Sequence, residues 1–366
     1  MRCVGCGAEL QFSYEDKEGY IDFKKFNALI SIDKQAICKR CFSMVNYNID
    51  ILDHNNIPNK TYNFELLNSR NNIIVYIIDA INLEFYIPEL TIVSKNTTCK
   101  LVIIVNKFDL LKNFNLENKI KEHYSNEINK IKINYEKIFF VSAFKKSDID
   151  ELANFFLSFP PLIFFNFVGP SSAGKSYLID KIYEKIVYQK TSLTTSLFLK
   201  TTLYKNVLRL PNNSKFVDYY GFTRKDDLRY YLNNSNFKKV YIEKSPKLIG
   251  YQIKDTQSIL IEGAARFDFF GEDIISFITL CNSNLKIHKT SIRKKSDELI
   301  KKFDFPSAKE NELLGERISL FFELKKANAY DIIIFGLGVF RVMNCSKIIV
   351  EISRKINVLL RESLLW

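Results

Sequence analysis

"VNKFDLL", Val105 to Leu111, follows the apolar run "KLVIIV" in the first third of the chain. Asn-Lys-x-Asp at the end of such a run is a guanine-reading pattern. The Asp109 carboxylate can accept from the guanine N1–H and 2-amino group, a donor pair that adenine does not present, with Asn106 and Lys107 beside it. A base reader needs a phosphate site on the same sheet, and nothing N-terminal to Val105 could hold a phosphate.

The phosphate site comes afterwards. "PLIFFNFV" runs directly into "GPSSAGKSYLIDKIYEKIV", which contains G-x-x-x-x-G-K-S from Gly169 to Ser176. In that strand-loop-helix setting the backbone N–H groups can wrap phosphates at a helix N-terminus. Lys175 can reach the β- and γ-phosphates, and the Ser176 hydroxyl can ligate Mg²⁺. Nucleotide contacts are expected along Gly169, Ser172, Ala173, Gly174, Lys175, Ser176 and Tyr177. Leu178, Ile182 and Ile186 then line one face of the following helix. Further on, "SKFVDYYGF" supplies D-x-x-G: Asp218 to hold Mg²⁺ through its water shell, and the Gly221 N–H to sense the γ-phosphate. "VSAF", with Ser142 and Ala143, is the expected support for the base.

In the usual order of such motifs the phosphate loop is first and the guanine reader last, yet no Asn-Lys-x-Asp occurs after Lys175. One sheet can still form if the old termini are joined and the chain is opened elsewhere, because strands pack by neighbourhood in space. The continuous apolar runs "IIVYIID", "LVIIV" and "IFFVS" fit buried parallel strands. Between the last two, Leu116, Ile120, Tyr124, Ile128 and Ile131 recur at helical spacing, giving the alternation of a doubly wound α/β domain. The expectation is a circularly permuted P-loop nucleotide-binding domain.

Four of seven cysteines form "CVGC" (Cys3, Cys6) and "CKRC" (Cys38, Cys41). Two such knuckles can converge on a tetrahedral Zn²⁺, with "QFSYEDKEGYIDF" between them expected as a hairpin turning at Gly19. The alternative is disulfides or reactive thiols, which a reducing cytosol disfavours. Cys99, Cys281 and Cys345 are expected as core residues, and the three histidines lack ligand spacing. "DHNNIPNKTYNFELLNSRNN" is expected as a linker leading into a short helix.

The net charge of +12 favours a polyanionic partner, although an AT-rich coding sequence can contribute part of it. The most apolar stretch, Phe155 to Gly169, is broken by Pro160-Pro161 and is too short to cross a bilayer, and the N-terminus has no secretory or transit character. No membrane partner and a cytoplasmic location are expected. The last third alternates apolar runs ("SILIEG", "DIIIFGLGVFRV", "KIIVEI"), as a β-rich α+β domain with a helical insertion should. Its "KIHKTSIRKKSDELIKK" run, Lys286 to Lys302, reads equally as a solvated helix face or as an RNA phosphate contact.

The motif order behind a four-cysteine module resembles the YqeH family of circularly permuted bacterial GTPases. "CVGCGAELQ", "CKRCF", "VNKFDLL", "SAF", "GPSSAGKS", "TTSLFLKTTL" and "DYYG" carry the resemblance, with "EGAARFDFF" and "FGLGVF" beyond them. It implies a GTPase acting in assembly of the small ribosomal subunit, through rRNA or pre-ribosomal particles, with GTP/GDP, Mg²⁺ and Zn²⁺ as cofactors. "LKTTL" replaces the family's Pro-Gly-Thr-Thr, which leaves Thr202 as the implied Mg²⁺ and γ-phosphate sensor. Ser172 stands where the family usually has the Asn associated with a potassium ion that assists hydrolysis. K⁺ is therefore the weakest of the implied cofactors, and unassisted hydrolysis is expected to be slow. Phe222 follows Gly221 where Ras-like proteins place a water-orienting Gln, and Val339 replaces an aromatic after Gly-Leu-Gly.

The expected organisation is a zinc module and linker over 1–60, the permuted GTPase over 61–230 and an RNA- or protein-binding domain over 231–366. Since D-x-x-G is the last element of the permuted domain, its movement can pull on the C-terminal domain. The rival expectation is a non-hydrolysing zinc-containing RNA-binding scaffold with a degenerate nucleotide site.

Overall fold

The computed structural model describes residues 1–32, 34–47, 49–52, 68–114, 117–189, 191, 193, 199–243, 248–254, 256–292, 296–300 and 302–364. The chain forms two compact units, one made of residues 1–109 with 121–223 and the other of 110–120 with 224–366. Of the linker expected from Asp53 to Asn72, residues 53–67 lie outside the described residues, as does the basic pair Lys294 and Lys295.

In the first unit, α1 (Phe23–Ile30) and α2 (Lys39–Tyr47) precede β1 (Asn72–Asp79), α3 (Ile87–Lys95), β2 (Lys100–Asn106), α4 (Glu117–Lys130), β3 (Lys137–Phe140), α5 (Lys146–Leu157), β4 (Phe164–Val168), α6 (Lys175–Val187), β5 (Asn206–Arg209) and β6 (Lys215–Asp218). The sheet runs β3-β2-β1-β4-β6-β5, parallel except for the β5–β6 hairpin. Its central strands β1, β2 and β4 are buried almost throughout. That is why they read as unbroken apolar runs rather than alternating ones. Phe156 of α5 and Leu178 and Ile182 of α6 pack onto the sheet core, while Ile120, Tyr124 and Ile128 supply the buried stripe of α4. Because five strands are parallel, the C-terminal ends of β1, β2, β3, β4 and β6 open onto one edge. A ligand crevice belongs on that edge in a doubly wound sheet.

Two N-terminal expectations change. Residues 11–20 form no hairpin but a loop closed by an isolated bridge between Gln11 and Tyr20, and a separate bridge between Arg2 and Glu9 precedes it. The Gln11 side chain takes the place of a strand partner: its Oε1 accepts from Ser13 N–H and Tyr14 N–H at 2.8 Å each, and its Nε2 donates to the Tyr14 carbonyl at 2.6 Å. Cys99 is half-buried, whereas Cys281 and Cys345 are buried as expected.

The second unit adds α7 (Asn234–Val240), β7 (Ile249–Ile253), β8 (Gln257–Ile261), β9 (Ala265–Phe270), β10 (Ile275–Cys281), β11 (Ile287–Ser291), α8 (Ser296–Ile300), α9 (Ala308–Leu314), β12 (Arg317–Glu323), β13 (Ala329–Ile334), β14 (Gly338–Met343), β15 (Lys347–Ser353) and β16 (Val358–Glu362). Two antiparallel sheets result, β16-β13-β14-β10-β7 and β11-β8-β9-β15-β12. Phe267 of β9 meets Phe277 of β10 and Phe340 of β14, with ring centroids 5.1 and 4.9 Å away, so aromatic packing joins the two sheets. The basic run expected as a helix face begins instead as β11, antiparallel to β8. Ile287 and Thr290 are β-branched and suit a strand, and Lys289 between them donates to the Gln252 carbonyl at 2.8 Å.

Candidate functional site

The guanine pattern and the phosphate loop, apart in sequence, are bonded to one another in space. Asn106 closes β2, and its Nδ2 donates to the Ala173 carbonyl at 2.9 Å, while Lys107 Nζ donates to the Ser172 carbonyl at 2.6 Å. Gly174 shows how tight the junction is. Its φ of +84° favours glycine, and a Cβ there would stand 2.6 Å from Asn106 Nδ2. Asn106 Oδ1 is buried without a hydrogen-bond partner among the described residues, leaving an acceptor beside the base position. Ser142 and Ala143 follow β3; the Asp148 carboxylate accepts from Ser142 N–H at 3.0 Å, and Ser142 Oγ accepts from Phe144 N–H at 3.2 Å. The exposed Phe144 ring lies 5.5 Å from Tyr177, the first aromatic after the phosphate loop.

Gly169 leaves the end of β4, and Lys175 begins α6. Lys175 is buried and donates to the carbonyls of Gly169 and Pro170 at 3.2 and 3.1 Å, across the loop where phosphates would sit. Burial pulls its ammonium down to about 8, with Asp218 opposing the fall. The four N-terminal N–H groups of α6 have no intrahelical acceptor and face the same loop end, the arrangement that receives phosphate oxygens.

Ser176, Thr202 and Asp218, expected to face a metal, converge as well. Ser176 Oγ donates to Asp218 Oδ2 at 2.7 Å, Thr202 Oγ1 donates to the same oxygen at 3.2 Å, and the two hydroxyls are 3.0 Å apart. Asp218 Oδ1 is buried with no hydrogen-bond partner among the described residues, and burial pushes its carboxyl above the ordinary range. Two hydroxyls and an uncompensated carboxylate form a hard oxygen set that fits Mg²⁺. Gly221 passes so close to the phosphate loop that a Cβ would lie 2.6 Å from Ser171 Cα. Phe222 is held there: its carbonyl accepts from Ser171 N–H at 2.7 Å, and its ring lies 5.9 Å from Tyr86. An aromatic so placed has no atom to orient a water.

Cys3, Cys6, Cys38 and Cys41 are all buried, with their sulfurs within 4.8 Å of one another. Cys3 and Cys41 Sγ are 3.6 Å apart and Cys6 and Cys38 Sγ are 3.8 Å apart, matching the edge of a tetrahedron with Zn–S bonds of about 2.3 Å. Hydrogen bonding to Cys3, together with burial, pushes the Cys6 and Cys41 thiols up. Bonding from Cys38 and Cys41 holds Cys3 well below the usual thiol range. The residues fit Zn²⁺, whose charge would let all four be thiolates at once.

Two residues of this site, Ser171 and Arg40, were not singled out in the sequence. Ser171 Oγ accepts from Lys200 N–H at 2.9 Å, tying the phosphate loop to the Thr202 segment. Lys200, at the position of the family's Gly, is buried with φ +55°. Arg40, inside the second cysteine knuckle, is 1% exposed. Only the missing glycine at Lys200 was a sequence signal.

Residues 66–227 match the family described as RsgA GTPase. The uncharacterized protein YqeH of Bacillus subtilis strain 168 is 26% identical over 373 residues, spanning 99% of each chain. The crystal structure of YjeQ from Thermotoga maritima aligns over 48% of this chain and 59% of that one at 19% identity. Its TM-score of 0.28 is too low to establish a shared fold by itself. The guanine pattern is bonded to a later phosphate loop inside a domain that is similar to the RsgA GTPase family, and that similarity supports a circularly permuted GTPase domain that hydrolyses GTP.

Proposed function

We propose that this GTPase serves assembly of the small ribosomal subunit in the cytoplasm, coupling its nucleotide state to rRNA or pre-ribosome binding. The observation that carries the nucleotide part is the pair of bonds from Asn106 and Lys107 to the phosphate loop, which brings base reading and phosphate binding into one crevice. The ribosomal part rests on the resemblance to the YqeH family and on the net charge of +12. No helix among the described residues is long and apolar enough to cross a membrane.

In this reading Asp109 accepts from guanine N1–H and the 2-amino group, with Asn106 and Ser142-Ala143 completing the base site. Gly169, Ser172, Ala173 and Gly174 present N–H groups to the phosphates, Tyr177 borders the nucleotide, and Lys175 bridges the β- and γ-oxygens. Ser176, Thr202 and Asp218 would hold Mg²⁺, which supplies charge neutralisation at the departing diphosphate. The Gly221 N–H and Thr202 distinguish GTP from GDP. Cys3, Cys6, Cys38 and Cys41 would hold a structural Zn²⁺. With Phe222 where a water-orienting residue would stand, turnover is slow alone and an activator on the pre-ribosomal particle completes the site. K⁺ is the least supported cofactor in this reading, because Ser172 replaces the Asn that would ligate it.

Multiple-turnover GTP hydrolysis, with and without small ribosomal subunits and in sodium or potassium buffers, tests this. Stimulation by subunits in either buffer is expected, with subunit binding that weakens steeply with salt. A rate indifferent to subunits, together with no co-sedimentation, refutes the ribosomal assignment.

A further inference from the structure

The four-cysteine module is bonded to the segment that carries Thr202. The Cys6 carbonyl accepts from both Leu203 N–H and Tyr204 N–H at 3.0 Å, and Leu203 is buried among the four cysteines. Asn206 Nδ2 donates to the Gly5 carbonyl at 3.2 Å, and Tyr204 Oη donates to Glu18 Oε1 at 2.7 Å. From the other knuckle, Arg40 grips Asp50 through two bonds of 2.8 and 2.7 Å. It turns its remaining donors to the carbonyls of Lys200 at 3.1 Å and Thr201 at 3.4 Å.

Lys200 needs such support. A non-glycine residue buried at φ +55° is held in a sparsely populated conformation only where its surroundings over-determine it. Here Ser171 fixes its N–H and Arg40 its carbonyl.

We propose that Arg40 is a positioning residue for GTP hydrolysis. With the Cys6 carbonyl it fixes Lys200 to Tyr204 so that Thr202 stays beside Ser176 and Asp218. Metal in the cysteine site and triphosphate in the nucleotide site then stabilise one another. The inference rests on the reading of Thr202 as the γ-phosphate sensor. Coupling between sites is reciprocal, so nucleotide must change zinc affinity as much as zinc changes nucleotide affinity.

The test is competition for zinc between the wild-type chain and a chromophoric chelator, with Mg²⁺ and either GDP or a non-hydrolysable GTP analogue. The analogue should tighten zinc binding by at least about fivefold over GDP. In Arg40→Gln, zinc should remain at one per chain while this dependence collapses. The analogue-to-GDP affinity ratio should also fall, and amide exchange should rise at Thr202 to Tyr204 but not in β4. If Arg40→Gln fails to fold, Tyr204→Phe supplies a milder break whose nucleotide dependence should be reduced. Equal zinc affinity with the two nucleotides in the wild type overturns the coupling. Thr202→Ala separates the two readings: an unchanged analogue-to-GDP ratio in that variant refutes the sensor role alone.

Discussion

Replacing Asn106 by Ala tests whether the junction between base reader and phosphate loop contributes to binding. The side chain is 2% exposed and makes one hydrogen bond of 2.9 Å to the Ala173 carbonyl, which lies inside the phosphate-binding turn. Deleting the donor leaves a buried carbonyl without that partner, costing about 1–3 kcal/mol. Converted to affinity, that is roughly five- to 150-fold. The tether acts on the base side and on the turn, away from the γ-phosphate sensors, so GTP and GDP should weaken by the same factor. Lys107→Met removes the neighbouring tether to Ser172, and the two changes should combine non-additively because both release one loop. Fluorescent-nucleotide titration of the two single variants and the double, with circular dichroism to confirm folding, measures this. A loss below about threefold in a folded Asn106→Ala protein refutes the claim that the junction supports binding.

Asp109→Asn should exchange GTP preference for XTP, since the xanthine carbonyl suits the new amide donor; parallel titrations that retain GTP preference remove Asp109 from the base site. Phosphate oxygens raise the Lys175 pKa above its free value of about 8, so its contribution to GTP affinity is complete below pH 8 and is lost as pH rises through the bound value. Nucleotide affinity should therefore decline as the pH rises above about 8, and a flat profile contradicts the assignment; Lys175→Ala should abolish binding or hydrolysis with the fold intact. Protein purified under reducing conditions should carry about one zinc per chain by elemental analysis, and its absence sinks the cysteine centre as a metal site.

The pieces that converge at the candidate nucleotide site were legible because each is local chemistry: a lysine beside glycines at a helix start, or a carboxylate at a strand end, is written in a handful of neighbouring residues. The permutation was legible for the same reason, being only the order of such pieces. Arg40 was not. Its partner Asp50 carries no motif, and the carbonyl it reaches at Lys200 is 160 residues away. Gln11 escaped likewise, because a side chain that satisfies loop amides leaves the same polar composition as a hairpin turn. Of the two readings of the basic run, the helix face fails at its start, where Ile287 to Ser291 pair with β8 as a strand. The C-terminal sheets were visible as apolar runs, but which strand neighbours which depends on pairings distant in sequence, such as β10 with β14 and β9 with β15.

The strand order of the first sheet bears on how the chain is made. β1 and β2 leave the ribosome as a pair, but the other neighbour of β1 is β4, which begins only at Phe164. Until then one side of the sheet's central strand has no permanent partner. The cysteine module waits longer still, since the bond from Asn206 to Gly5 spans 201 residues. Contacts of such long range carry a large loop-closure cost and form late. The nascent chain therefore holds a finished guanine reader with nothing to bind until β6 has emerged. Nucleotide competence should arrive in one late step during synthesis, with an exposed apolar edge beforehand that makes the first half of the chain a natural client for chaperones.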